Sequence, residues 1–167
     1  FLDKMPTFAV GAAPEYRNAD EGWGIPTLPP IQGCVDLSWH LINHLIDKEF
    51  DIVTCQEMLV DHACTIPLKL FWPQDTCPVR IVPVNLNTVQ FPLPSAKRCY
   101  ALGQAVGEAI QSWDSDERVV VIGTQGVELL NWLAMRGALG AAKAKTVHSN
   151  YHIPISNTAT GLIALAA

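Results

Sequence analysis

An α/β fold, with a central and mostly buried β-sheet flanked by helices on both faces, is predicted by three features of the sequence. Two short apolar, β-branched runs, Phe50-Asp51-Ile52-Val53-Thr54-Cys55 and Arg118-Val119-Val120-Val121-Ile122-Gly123, read as buried strands. Other segments repeat apolar residues every three or four positions, the period of an amphipathic helix. The two kinds alternate along the chain, an order that builds sheets covered on both sides.

Composition sets the outer bounds. With 167 residues, 49% of them hydrophobic, one domain burying about 70% of its unfolded surface is expected. The net charge is −5 and the Lys and Arg residues are scattered, so no basic stripe follows a phosphate backbone, which argues against nucleic acid as a partner. No apolar run approaches the ~20 residues that span a bilayer, and no signal peptide opens the chain. The five cysteines (34, 55, 64, 77 and 99) form an odd set without a CxxC pair, which fits a reduced, cytoplasmic protein better than a disulfide frame. The start at Phe1-Leu2-Asp3-Lys4, without Met, reads as a cut from something longer.

Taken in order, Pro6-Thr7-Phe8-Ala9-Val10 is strand-like. From Gly11 to Gly33, Gly, Pro and polar residues predict a long loop. Its Asp20 and Glu21 are possible acid–base carboxylates, although solvated turn residues are the simpler expectation. Asp36 opens a helix with Leu37, Leu41 and Leu45 on one face, Ile42 and Ile46 beside them, and Asp47-Lys48-Glu49 at the polar end. His40 and His44 share a face of it. They lack the intervening glutamate of a zinc-protease helix and a third ligand, so they read as ordinary surface or half-buried histidines.

The stretch Leu59-Val60-Asp61-His62-Ala63-Cys64-Thr65-Ile66-Pro67 places an acid and an imidazole where a strand ends and a helix begins, with Pro67 expected in that helix's first turn. Ligands of open α/β sheets bind at this edge. The competing reading makes Asp61 a helix cap with His62 exposed beside it. Next, Pro78-Val79-Arg80-Ile81-Val82-Pro83-Val84-Asn85-Leu86 reads as a strand at an edge or a bulge and not at the sheet centre, because proline cannot donate to a sheet ladder. Ser95 is the N-cap of a long helix carrying Cys99, Leu102, Val106, Ala109, Ile110 and Trp113 on its apolar face. After the strand ending at Gly123, Thr124 to Leu133 is an amphipathic helix with Glu128 in its first turn, either complementing the helix dipole or serving as a hard oxygen donor to a metal. Tyr151 to Thr158 is a donor-rich loop, in which Ser156 and Asn157 suit a small anionic substrate or simple turn chemistry. The apolar tail Gly161-Leu162-Ile163-Ala164-Leu165 follows it.

Seven segments in register carry a resemblance. They are Pro6–Gly11, Ala19-Asp20-Glu21-Gly22-Trp23-Gly24, Asp61-His62, Lys97-Arg98-Cys99, Gly126-Val127-Glu128-Leu129, Trp132–Leu139 and Tyr151–Ala159. Together they resemble the class III extradiol ring-cleaving dioxygenases, in particular the β (catalytic) subunit of protocatechuate 4,5-dioxygenase, with close relatives acting on gallate. The resemblance implies non-haem Fe(II) held by two histidines and one carboxylate, Glu128 being that carboxylate. It implies that His62 is an active-site histidine near the substrate hydroxyls and that Ser156 and Asn157 contact the ring carboxylate. It also implies a small α subunit over the active-site mouth in a hetero-oligomer, or a homodimer.

Two departures stand against that pattern. The family's iron-binding histidines lie upstream of Phe1, and neither His40 nor His44 replaces them. The family's acid–base histidine lies in a Gly-rich turn after the strand equivalent to Arg118–Gly123, whereas here Thr124 passes directly to Gln125 and a helical excursion is missing. The expectation is one catalytic-subunit domain over residues 1–167 that lacks an N-terminal segment and that excursion. Two functions remain open: a dioxygenase opening a dihydroxybenzoate, protocatechuate or a gallate relative, with Fe(II) and O2, and a non-catalytic binding or scaffold member of the same fold.

Overall fold

The computed structural model describes residues 5–21, 28–74, 76–123, 129–140, 145–152 and 160–166. They belong to two compact units, Phe1–Asn87 and Thr88–Ala167. Both are built from helices and strands, and the α/β class predicted from the sequence is the class found.

The first unit runs β1 (Phe8–Gly11), β2 (Glu15–Asn18), β3 (Ile31–Gln32), α1 (Val35–Asp47), β4 (Val53–Cys55), β5 (Leu59–Val60), α2 (His62–Phe71) and β6 (Val84–Leu86). One sheet has the order β4-β1-β6, with β4 parallel and β6 antiparallel to β1. The other has the order β3-β2-β5, with β3 antiparallel and β5 parallel to β2. All four residues of β1 are buried. A strand without an exposed face is covered on both sides, which is why Phe8-Ala9-Val10-Gly11 shows no alternation of apolar and polar residues. Around β2 and β3, Ala13, Tyr16, Ile31, Val60 and Leu68 form a buried cluster. Tyr16 brings its hydroxyl into that cluster and satisfies it there, accepting from the Ala13 amide at 3.2 Å. Burial pushes the Tyr16 phenol above its ordinary pKa.

Helix α1 follows its sequence pattern. Leu37, Leu41, Ile42 and Leu45 are buried, while Ile46 is exposed. The chain leaves the helix through a Schellman turn, with the Glu49 amide donating to the Ile46 carbonyl at 2.9 Å and the Phe50 amide to the Leu45 carbonyl at 3.0 Å. Phe50 then packs edge-on against Phe8, ring centroids 6.0 Å apart. The turn requires a left-handed backbone at Glu49, φ 62°, a conformation in which a Cβ is disfavoured.

Several expectations are corrected. The strand expected over Phe50–Cys55 shortens to β4, and Val53 and Thr54 are exposed on the edge of its sheet; β1 holds the centre instead. Gly11 to Gly33 is not all loop, since β2 and β3 form within it. Pro67 lies inside α2 and not in its first turn, because the helix already begins at His62. Arg118–Gly123 is no buried strand: Val120, Val121 and Ile122 are 79%, 41% and 46% exposed. Apolar, β-branched sequence makes a strand only when another strand completes its ladder, and no partner strand is found for it among the described residues. The edge assignment of Pro78–Leu86 holds in its last three residues, β6, while Pro83 offers its carbonyl to the Gly11 amide at 2.9 Å.

The second unit contains α3 (Ala96–Ser112), α4 (Leu129–Ala138), β7 (Lys145–His152) and β8 (Thr160–Ala166), with β7 and β8 antiparallel. Ser95 caps α3 as expected, its hydroxyl accepting from the Arg98 amide at 3.2 Å. Cys99, Leu102, Val106 and Ala109 are buried. Helices α3 and α4 meet almost backbone to backbone: a Cβ at Gly103 or Gly107 would overlap the carbonyl of Ala134 or Ala138, and one at Gly137 the carbonyl of Tyr100.

Two predictions follow from these contacts. Glu49→Gly relieves the left-handed residue and raises stability by up to about 1 kcal/mol, read as a higher urea midpoint. Gly107→Ala gains up to ~1 kcal/mol of helix propensity but forces a methyl group into the Ala138 carbonyl, so the net result is a loss of about 1–3 kcal/mol; a midpoint at or above that of the parent would show that the helices can separate freely.

Candidate active site

Two adjacent parallel strands assemble the site. Strands β2 and β5 pair Arg17 with Leu59 and Asn18 with Val60, and the Ala19 amide continues the ladder to the Val60 carbonyl at 2.8 Å. Both chains therefore leave the sheet side by side in the same direction. Three residues past the end of β2 comes Glu21, and two past the end of β5 comes His62. Residues 41 apart in sequence thus meet at the carboxyl edge of one sheet, where ligands of α/β proteins bind.

The contact uses both carboxylate oxygens of Glu21. Oε2 accepts the His62 backbone amide at 2.8 Å, and Oε1 lies 2.6 Å from His62 Nδ1. Since His62 is the first residue of α2, its amide is one of the donors that a helix start leaves without an intrahelical partner. A carboxylate there also meets the positive end of the helix dipole. The side chains of His62 and Glu21 keep 32% and 25% exposure, which leaves the ring accessible to a small molecule.

Asp61 has the other role foreseen for it. Its extended backbone and its Oδ1, which accepts from the Ala63 amide at 3.1 Å, make it the N-cap of α2. The cap reading is correct for Asp61. For His62 the companion expectation fails, since the ring is held by a carboxylate instead of standing free in solvent. Glu21 is corrected likewise: it is no solvated turn residue. The adjoining Cys64 thiol is pushed up to about 11, first by burial and then by the charge of Asp61 and by Cys77. It stays protonated at neutral pH and supplies no thiolate nucleophile.

Glu21, Asp61 and His62 are the one group among the described residues with enough ligand atoms for a metal, all within 4.8 Å of one another. His40 and His44 are half-buried on α1 and join no such group among the described residues. Iron does not fit the Glu21 group as arranged. Nδ1 of His62 faces Glu21 Oε1 at hydrogen-bonding distance, Glu21 Oε2 accepts the His62 backbone amide, and Asp61 Oδ1 is turned to its helix. The arrangement is that of a histidine oriented by a carboxylate.

Of the other residues expected to act, Glu128, Ser156 and Asn157 lie outside the described residues, as does the Thr124–Gln125 junction. All five cysteines are free, and no described helix is long and apolar enough to cross a membrane.

Comparison with known proteins gives a family match over residues 1–128, to the model described as the catalytic LigB subunit of aromatic ring-opening dioxygenase. The chain is 30% identical to a gallate dioxygenase of Pseudomonas putida, over 81% of this chain and 54% of that protein. It is 34% identical to a 2,3-dihydroxyphenylpropionate/2,3-dihydroxicinnamic acid 1,2-dioxygenase of Azotobacter vinelandii, over 76% of this chain and 38% of that protein. A protein of the same description from Comamonas testosteroni is 29% identical over the same shares. The chain therefore spans about half, or less, of the length of these relatives. The Pseudomonas alignment runs over 185 residues, more than the 167 of this chain, so that relative carries internal residues with no counterpart here.

The cap can be tested by itself. Asp61→Ala is expected to cost about 0.5–2 kcal/mol of stability and Asp61→Asn much less, measured by thermal unfolding; equal losses in the two would assign the effect to charge and not to the hydrogen bond.

Proposed function

The chain belongs to the family of catalytic LigB subunits of aromatic ring-opening dioxygenases, and we propose that it contributes to extradiol cleavage of a hydroxylated benzoate of the protocatechuate type by O2. The observation that carries this reading is the carboxylate-held imidazole of His62 at the carboxyl edge of β2 and β5. Ring opening requires a catechol hydroxyl to lose its proton. A neutral imidazole oriented by a carboxylate can take that proton or, once protonated, stabilise the negative charge that grows on the ring oxygens.

Members of the family generally use non-haem Fe(II). When bound, iron supplies the Lewis acidity that lowers the pKa of a ring hydroxyl and the electrons that activate O2. Glu128 is proposed as its carboxylate ligand, with the two histidines that the resemblance places upstream of Phe1. Ser156 and Asn157 are proposed to offer neutral hydrogen bonds to the substrate's carboxylate. A partner subunit of the small α type over the site mouth, or a second copy of the chain, completes the proposed assembly. Its proposed place is the cytoplasm.

The second reading, gallate as substrate, is favoured by the match to a gallate dioxygenase over four-fifths of this chain. An alignment longer than this chain is what an excursion such as the one expected between Thr124 and Gln125 would produce. The exposure of Val120, Val121 and Ile122 supports it too: an apolar, β-branched run is costly in water, and a segment that covered it would remove that cost.

The reading predicts a division of labour in the full-length protein. Glu128→Ala loses iron, whereas His62→Phe retains iron and lowers kcat by about 10²–10⁴-fold. Metal analysis and O2 uptake with protocatechuate and with gallate measure both. Iron content unaffected by Glu128→Ala would remove that ligand, and no uptake with either ring by the iron-loaded parent would favour the binding or scaffold alternative.

A further inference from the structure

We propose that Glu21 is a positioning residue, whose carboxylate fixes the His62 ring as its Nδ1–H tautomer and thereby makes Nε2 the atom that accepts a proton. What that atom does to a substrate rests on the function proposed above; the tautomer itself does not.

The inference follows from what a carboxylate can offer. An ionised carboxylate only accepts hydrogen bonds. Oε1 at 2.6 Å from Nδ1 therefore requires the proton to be on Nδ1. In the neutral ring the lone pair then lies on Nε2. An unconstrained histidine prefers the opposite arrangement, so the contact selects the less common form. The second oxygen adds the orientation. With Oε2 on the backbone amide of the same residue at 2.8 Å, one carboxylate grips the main chain and the ring of His62 together, and the imidazole cannot turn over without giving up the Oε1 contact. Both ends of this grip are carried on paired strands, β2 on the Glu21 side and β5 on the His62 side.

The other groups nearby do not duplicate the role. Asp61 spends Oδ1 on the Ala63 amide as the helix cap, and Cys64 remains a neutral thiol. Glutamine at position 21 is a poor substitute, because its amide oxygen can accept from either the ring or the backbone while its NH2 group can accept from neither.

The test is nitrogen NMR of the full chain with 15N-labelled histidine, above the titration of the ring, together with steady-state kinetics of the iron-loaded enzyme. The parent is expected to show His62 protonated on Nδ1, with His62→Gln assigning the signal. Glu21→Ala is expected to move the ring to the Nε2–H form and to lower kcat by about 10–100-fold with little change in KM, and Glu21→Asp to recover part of both. A parent ring protonated on Nε2, or a tautomer unmoved by Glu21→Ala in a variant that melts cooperatively, would overturn the assignment. A parent that shows the Nδ1–H ring but opens no aromatic substrate would support the Glu21 assignment while defeating the proposed function, so the two failures are distinguishable.

Discussion

The pairing of β2 with β5 is the constraint on which the candidate site depends. One parallel ladder of only two registered pairs would be weak in isolation, since short strand pairs are marginal in water. It persists because Tyr16, Ile31, Val60 and Leu68 bury a common cluster beneath it. Apolar burial at roughly 25 cal/mol per Å² holds the strands, the strands aim their successors at one edge, and the edge brings a carboxylate to an imidazole. A polar contact that is itself worth only about 1–3 kcal/mol is thus placed by forces that are not polar at all.

How much of this could be read from the sequence divides along range. Local signals were reliable: the i, i+4 leucines of α1, the Ser95 cap of α3, the edge character of the proline-bearing strand and the placement of Asp61-His62 at a strand end all depend on neighbours within a turn or two. Tertiary partners were not readable. Val119 to Ile122 has strong β-propensity, yet propensity is only suitability for a ladder, and the ladder must come from elsewhere. Glu21 shows the same limit from the functional side. As the second residue of an Asp-Glu pair beside glycine it looks like turn chemistry, and only the pairing of two very short strands turns it into His62's partner. The one sequence clue was that Glu21 lies inside a segment shared with ring-cleaving dioxygenases.

The family assignment and the geometry bear on different halves of the question. Membership in the LigB family names the class of chemistry. The described geometry adds which nitrogen of His62 faces a carboxylate, and which hydrogen bonds occupy the Glu21, Asp61 and His62 group.

The glycine contact between α3 and α4 has a mechanical corollary. Where two helices touch through long side chains, rotamer changes let one slide over the other at little expense. Here Gly103, Gly107 and Gly137 leave carbonyl against Cα, with no pliant layer between them. Sliding one helix along the other would drive these backbones into each other, so the contact resists shear where a layer of side chains would yield.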